Sequence, residues 1–215
     1  KILKKKINFN LTDEFEIIKK KNNLKKINLI DIDFKQSTAF DKITPKSNYY
    51  IASCFDLAIR LIKKNVSNKF INGPISKKSF LKKKFNGITE YLAHKTNTKK
   101  FAMIIHNKSL SVCPLTTHLP IKHVHKRINK LEIINKVNLI NNFWKKNFGK
   151  QVKIGVTGLN PHCESIDNFD EDKKIILPTI KKLKKLKYHI EGPLAADTIF
   201  LKNNRKKFDL IIGMY

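Results

Sequence analysis

The sequence predicts an α/β fold with a largely parallel, buried sheet flanked by helices. Two observations carry this. Strand-length apolar runs alternate along the chain with helix-length amphipathic segments, and several of those runs are apolar throughout instead of alternating apolar with polar. A strand that is apolar on both faces needs cover on both faces, which a parallel sheet between helices supplies.

Taken in order, "INLIDIDF" (27–34) ends in the alternation Ile30-Asp31-Ile32-Asp33-Phe34 and reads as a strand. "SNYYIASCFDLAIRLIKK" (47–64) carries Ile51, Phe55, Ala58 and Ile62 at three- and four-residue steps and reads as a helix opening on Ser47 as its cap. "KFINGP" (69–74) reads as a short strand running into a loop. "FAMII" (101–105) and "LSVCPLTT" (110–117) are apolar runs separated by the turn formers Asn107-Lys108. "INKLEIINKVNLINNFWKKNFG" (128–149) is a long amphipathic helix stopped by Gly149. The strand "VKIGVT" (152–157) follows, then a Lys-rich helix broken near Pro178, a Gly-Pro turn opening "GPLAADTIF" (192–200), and a last strand "DLIIG" (209–213).

With 215 residues, 41% of them hydrophobic, the chain can bury a real core as one large domain or two small lobes. No apolar run reaches the ~18–20 residues of a membrane helix. The basic opening "KILKKKINFN" lacks the long apolar region and cleavage site of a leader. The expectation is a soluble, cytoplasmic protein with no membrane partner. The sequence starts at Lys1 and stops inside the apolar "FDLIIGMY", so it reads as a fragment. Cys54, Cys113 and Cys163 lie far apart with no CxxC, which gives neither a disulfide framework nor zinc-finger spacing.

The net charge of +28 suggests a nucleic-acid-binding module as a rival reading. Against it, only Arg60, Arg127 and Arg205 among the 45 basic residues are arginine, the better bidentate reader of phosphates and bases. The lysines are spread along the whole chain among Asn and Ile, as residue bias from an AT-rich genome would leave them. No specific nucleic-acid partner is expected.

In parallel α/β sheets, ligands bind outside the carboxyl ends of the strands. The stretches there are "NGPISKKS" (72–79), "TTHLP" (116–120) and "GLNPH" (158–162), and two of them deliver a histidine next to a proline. His118 and His162 are candidate metal ligands from neighbouring strand ends, with backbone-bonded turn histidines as the plain alternative. Cys163 is a candidate soft ligand. Thr89 opens "TEYLA" either as an anion-holding hydroxyl or as a simple helix cap. Asp197 is either a carboxylate orienting a ligand histidine or a cap for the next segment. No GxGxxG, GxxxxGK[ST] or GxSxG stretch occurs. No residue stands out as a catalytic acid or base, or as a cofactor contact.

In order and at similar intervals, "NGPISK" (72–77), "FNGITEYLA" (85–93), "TTHLP" (116–120), "GLNPHCE" (158–164), "GPLAADTIF" (192–200) and "DLIIGMY" (209–215) resemble the 4-hydroxythreonine-4-phosphate dehydrogenase family of vitamin B6 biosynthesis. The resemblance runs from about residue 27 to the end. It implies an isocitrate/isopropylmalate-dehydrogenase-like fold, two lobes around a cleft, with residues 1–215 forming one incomplete catalytic region. It also implies a homodimer with the active site at the interface. The implied reaction oxidises 4-phosphooxy-L-threonine with NAD or NADP, then decarboxylates it to 3-amino-2-oxopropyl phosphate. A divalent metal (zinc, magnesium or cobalt) is implied, held by His118, His162 and a third histidine expected just after Tyr215. Thr89 is implied as a substrate contact.

The sequence departs from the family pattern in three ways. Ile88 occupies the place of the family's substrate-binding histidine. The glycine-rich beginning is absent, as is everything after Tyr215. The 215-residue chain is therefore expected to be a poor or inactive enzyme by itself. A related dehydrogenase for another phosphorylated hydroxy acid or a cis-diol stays open as an alternative.

Overall fold

The structure, a computed structural model, describes residues 7–19, 27–38, 41–82 and 84–215, so the basic opening segment lies outside them up to residue 6. It divides into two compact units, Lys1–Thr96 and Asn97–Tyr215.

In the first unit, β1 (Phe9–Thr12) and β2 (Ile27–Ile30) pair in parallel, with Phe9 opposite Ile27 and Thr12 opposite Ile30. The strand expected over 27–34 is thus half as long. Its partner ends where Asp13 accepts the Glu16 N–H at 2.7 Å and starts α1 (Glu14–Lys19), so residues after Ile30 find no ladder partner among the described residues. The helix expected over 47–64 is α2 (Ser47–Lys63). Ser47 is its first residue and not its cap; the hydroxyl donates back to the Thr44 carbonyl at 2.9 Å. Arg60 of α2 forks onto Glu14 of α1, with Nε–Oε1 at 2.9 Å and Nη2–Oε2 at 2.8 Å.

Residues 69–74 form no strand. Ser67 exchanges hydrogen bonds with the Lys69 backbone, and the Asn72 amide donates to Gly73 O at 2.9 Å, so local side chains satisfy the backbone and Pro74 offers no N–H. After α3 (Lys77–Phe80) and α4 (Ile88–Lys95), the unit closes on rings. Phe55 of α2 and Tyr91 of α4 pack with Phe70, Phe80 and Phe85 at centroid separations of 5.1–5.9 Å, mostly edge to face.

The second unit holds a five-stranded sheet. β3 (Ile105–Asn107) and β4 (Leu110–Pro114) form a hairpin around Lys108-Ser109, with Asn107 Oδ1 accepting the Ser109 N–H at 2.8 Å. β5 (Ile154–Thr157), β6 (Ile190–Leu194) and β7 (Leu210–Gly213) complete it in the order β3-β4-β7-β5-β6, parallel everywhere except at the hairpin. The short α5 (Val124–Arg127) precedes α6 (Lys130–Phe148). Asn129 caps α6 by accepting the Glu132 N–H at 2.9 Å, and Gly149 ends it at φ +66°, which a glycine adopts freely. α7 (Leu177–Lys185), α8 (Ala196–Ile199) and α9 (Lys202–Arg205) follow.

Two expectations are corrected here. Pro178 does not break a helix. A π-helical turn, Asp172–Ile176, leads straight into α7, and this widened turn lets Pro178 sit early in α7 without ending the helix. Gly192-Pro193 is not a turn but lies inside β6. An edge strand tolerates a missing N–H, and the two residues bulge opposite Val156, between the pairs Gly155–Glu191 and Thr157–Leu194.

Ile154, Val156, Leu210, Ile211 and Ile212 are at most 1% exposed. Ile133, Val137 and Ile140 of α6, and Ile180 and Leu183 of α7, belong to the same buried cluster as most of them. Burying each such side chain contributes about 1.5–3 kcal/mol. Cys113 lies in this cluster, where burial pushes its thiol up to about 11 and leaves it unreactive.

Asp209 joins the amino ends of β5 and β7. Its carboxylate accepts the Lys153 N–H at 2.9 Å and the Lys150 ammonium at 2.9 Å, and its own N–H donates to Lys153 O at 2.8 Å. Burial raises its pKa, but these donors outweigh burial and hold the carboxyl below its ordinary value. A depressed folded pKa gives stability that is present above the unfolded value and is lost as pH falls through the folded one. Asp209→Asn should therefore lose about 1–3 kcal/mol at neutral pH in urea unfolding. Its stability should also decline less than the parent's below about pH 4. Equal acid sensitivity in the two proteins would remove Asp209 from the acid response.

Candidate active site at the carboxyl edge of the sheet

Strands β4, β7, β5 and β6 run parallel, so their following loops leave from one edge, where α/β sheets bind ligands. The loop after β4 carries His118, that after β5 carries His162, the short α8 after β6 carries Asp197, and β7 runs out through Met214 to Tyr215. The β4–β7 pairing continues past the strand ends. Leu115 N–H donates to Gly213 O at 2.7 Å, and the Thr116 hydroxyl donates to Met214 O at 2.8 Å. The loop leading to His118 is thus tied to the end of β7 on one side, and β5 borders β7 on the other.

His162 lies in a tight turn, Pro161–Cys163, with a left-handed backbone at φ +56°. Its Nε2 is 3.8 Å from Asp197 Oδ2, and the two side chains are 75% and 61% exposed. They face each other across open solvent at a distance too long for a tight hydrogen bond. With Leu159, Asn160, Pro161, Ala196 and Tyr215 they line a cleft of about 250 Å³. His118, also left-handed at φ +56°, does not line this cleft. Among the described residues no three of His, Cys, Asp and Glu are grouped as a metal site. Burial pushes the Cys163 thiol up, and the nearby Asp172 carboxylate adds to it, which disfavours the thiolate a soft ligand needs.

Thr89 and Ile88 belong to the first unit. Gly87, with an extended backbone, is the residue preceding α4, and Thr89 is the helix's half-buried second residue. The cap reading of Thr89 is therefore corrected. Ile88 packs against the cluster of Phe55, Leu81 and Tyr91.

Sequence reasoning missed the residues that shape the "GLNPH" loop. Asp172, fully buried, accepts the Leu159 N–H at 2.8 Å, the Asn160 N–H at 3.0 Å and the Asn160 side-chain amide at 3.1 Å. Asp170 accepts the Ser165 N–H at 3.2 Å. The available signal was the acidic run "DNFDED" (167–172) in a lysine-rich chain.

Fold and edge together define an α/β protein with a cleft at the sheet edge that bears a histidine and an aspartate. The family described as "Pyridoxal phosphate biosynthetic protein PdxA" matches residues 1–215, and the chain belongs to that family. It is 36% identical over 199 residues to a 4-hydroxythreonine-4-phosphate dehydrogenase of Sulfurihydrogenibium sp. (strain YO3AOP1), covering 91% of this chain and 60% of that protein. It is 34% identical over 197 residues to a protein of Oceanobacillus iheyensis provisionally named D-threonate 4-phosphate dehydrogenase, covering 88% and 59%. The crystal structure of a 4-hydroxythreonine-4-phosphate dehydrogenase from Klebsiella pneumoniae superposes with a TM-score of 0.81 at 21% identity, over 98% of this chain and 65% of that one, and shows a shared fold. The chain spans about 60% of the length of the curated relatives it matches.

Gly158 is the position where the loop admits no side chain. A Cβ there would lie 2.8 Å from both Asp172 Oδ1 and Cys163 Sγ. Gly158→Ala should cost about 1–3 kcal/mol in thermal or urea unfolding. An unchanged midpoint would show that the loop yields freely.

Proposed function

We propose that this chain is the metal-holding part of a dehydrogenase that oxidises 4-phosphooxy-L-threonine with NAD or NADP. The observation that carries this reading is the His162–Asp197 cleft at the sheet edge served also by the His118 loop, in a chain of the PdxA family. The donor chemistry, two imidazoles from loops on either side of β7 and a carboxylate beside one of them, suits zinc or cobalt better than magnesium. His118 and His162 would be ligands, and a third would come from the residue following Tyr215. When bound, such a metal supplies Lewis acidity that lowers the pKa of a substrate hydroxyl.

The remaining work falls to the polypeptide. Asp197, 3.8 Å from His162 Nε2, would orient the His162 ring. Thr89 keeps the substrate-contact role that the family resemblance implies. A nicotinamide cofactor, when bound, would supply the hydride acceptor for oxidation of the secondary alcohol. The β-keto acid then loses carbon dioxide to give 3-amino-2-oxopropyl phosphate. The reading includes a homodimer with the site at its interface, working in the cytoplasm. No helix among the described residues is long and apolar enough to cross a membrane.

A second reading is oxidation of another phosphorylated hydroxy acid. It is favoured by Ile88, which packs into an aromatic cluster and has no polar group to offer a substrate. The relative provisionally named for D-threonate 4-phosphate supports it.

Two experiments on the full-length gene product test these readings. The His118→Ala/His162→Ala double variant should lose its bound metal and at least about 100-fold in turnover. Retained metal content and activity would refute the ligand assignment. In a panel of phosphorylated hydroxy acids, 4-phosphooxy-L-threonine should reduce NAD(P)+ fastest. Reduction with D-threonate 4-phosphate alone would transfer the assignment to the second reading.

A further inference from the structure

The turn that carries His162 is held in an unfavourable shape. His162 and Cys163 are consecutive non-glycine residues at φ +56° and +63°. Left-handed backbone crowds an L side chain, and such residues persist only where their surroundings over-determine them. The turn's own hydrogen bonds are sparse: Cys163 N–H to Asn160 O at 3.0 Å and Glu164 N–H to Pro161 O at 3.4 Å. The restraint comes from the acidic run that follows.

Asp172 takes three N–H donors from Leu159 and Asn160, at the entry to the turn. Asp170 takes the Ser165 N–H at the exit, and it is itself fixed by the Lys173 N–H at 3.1 Å and the Lys173 ammonium at 3.4 Å. Asp172 and Asp170 are 0% and 6% exposed as residues, so neither carboxylate can swing into water without losing its donors. Both ends of the segment 159–165 are therefore clasped by two groups only two residues apart, with His162 between them. The π-helical turn beginning at Asp172 fixes where that clasp sits, because it runs directly into α7 and its buried face.

We propose that Asp172, assisted by Asp170, is the positioning residue for His162: it holds the entry of the turn so that the imidazole is presented toward Asp197 and a bound metal. The inference rests on the reading of His162 as a metal ligand.

The test uses the full-length gene product with Co²⁺ as the probe. Asp172→Asn preserves size but puts an amide NH₂ where N–H donors need an acceptor. Hydrogen–deuterium exchange of residues 158–165 should rise at least about tenfold, with β5 and β7 still protected. Co²⁺ affinity should fall on the order of 10–100-fold. Asp170→Asn should change both readouts in the same direction, less strongly, and it carries the test if Asp172→Asn does not fold. Ile180→Val, which loosens the adjacent core, should leave Co²⁺ affinity unchanged. Parental exchange over 158–165 in the Asn variants overturns the clasp. Faster exchange with parental Co²⁺ affinity overturns the positioning role, provided His162→Ala does weaken Co²⁺. If His162→Ala also binds Co²⁺ like the parent, the metal reading itself has failed, and the inference with it.

Discussion

The second unit depends on the burial of β5 and β7 on both faces. Their side chains have no solvent-facing side: Ile154, Gly155, Val156 and Thr157 are all buried, as are Leu210, Ile211 and Ile212. Such strands cannot lie at an edge. β7 takes the middle of the sheet between β4 and β5, and helices supply the cover that parallel pairing requires. Parallel pairing in turn sends every carboxyl end the same way. His118, His162, Asp197 and Tyr215 are separated widely in sequence, yet all leave from one edge because the core permits only this arrangement of directions.

The fold was legible wherever burial left a composition signal. Fully apolar runs marked β5 and β7, and the three- and four-residue spacing marked α2 and α6, with Gly149 at its end. Legibility failed where pairing depended on a partner. Nothing in "IDIDF" says that β1 is only four residues long, so the alternation overran the real strand. The Gly-Pro in β6 read as a turn because edge position, which makes the proline tolerable, is a property of the sheet and not of the segment. Pro178 misled for a related reason: a proline within a helical pattern reads as a break, and the π-helical turn that accommodates it leaves no mark in the sequence.

The candidate site was legible only as residue types and loops, since His118 and His162 follow strands and stand beside prolines. Their mutual relation was not legible, because it is set by strand order. Pattern also says little about Ile88. Its side chain packs into the ring cluster of the first unit.

Charge sharpens what the acidic residues mean. With 45 basic residues against 17 acidic ones, the lysines are a poor guide to location because they occupy solvated faces everywhere. The scarce aspartates are a better guide. Asp13 starts α1, Asp209 ties β5 to β7, and Asp170 and Asp172 hold the turn that bears His162. Each accepts backbone N–H groups that would otherwise go unpaired, and the shielding from water of Asp170 and Asp172 makes their bonds costly to break. In a chain so biased toward lysine, an acidic run directly after a histidine loop reads better as backbone restraint than as surface charge. That connects the composition, which at first pointed toward nucleic acid, with the local geometry of a candidate ligand.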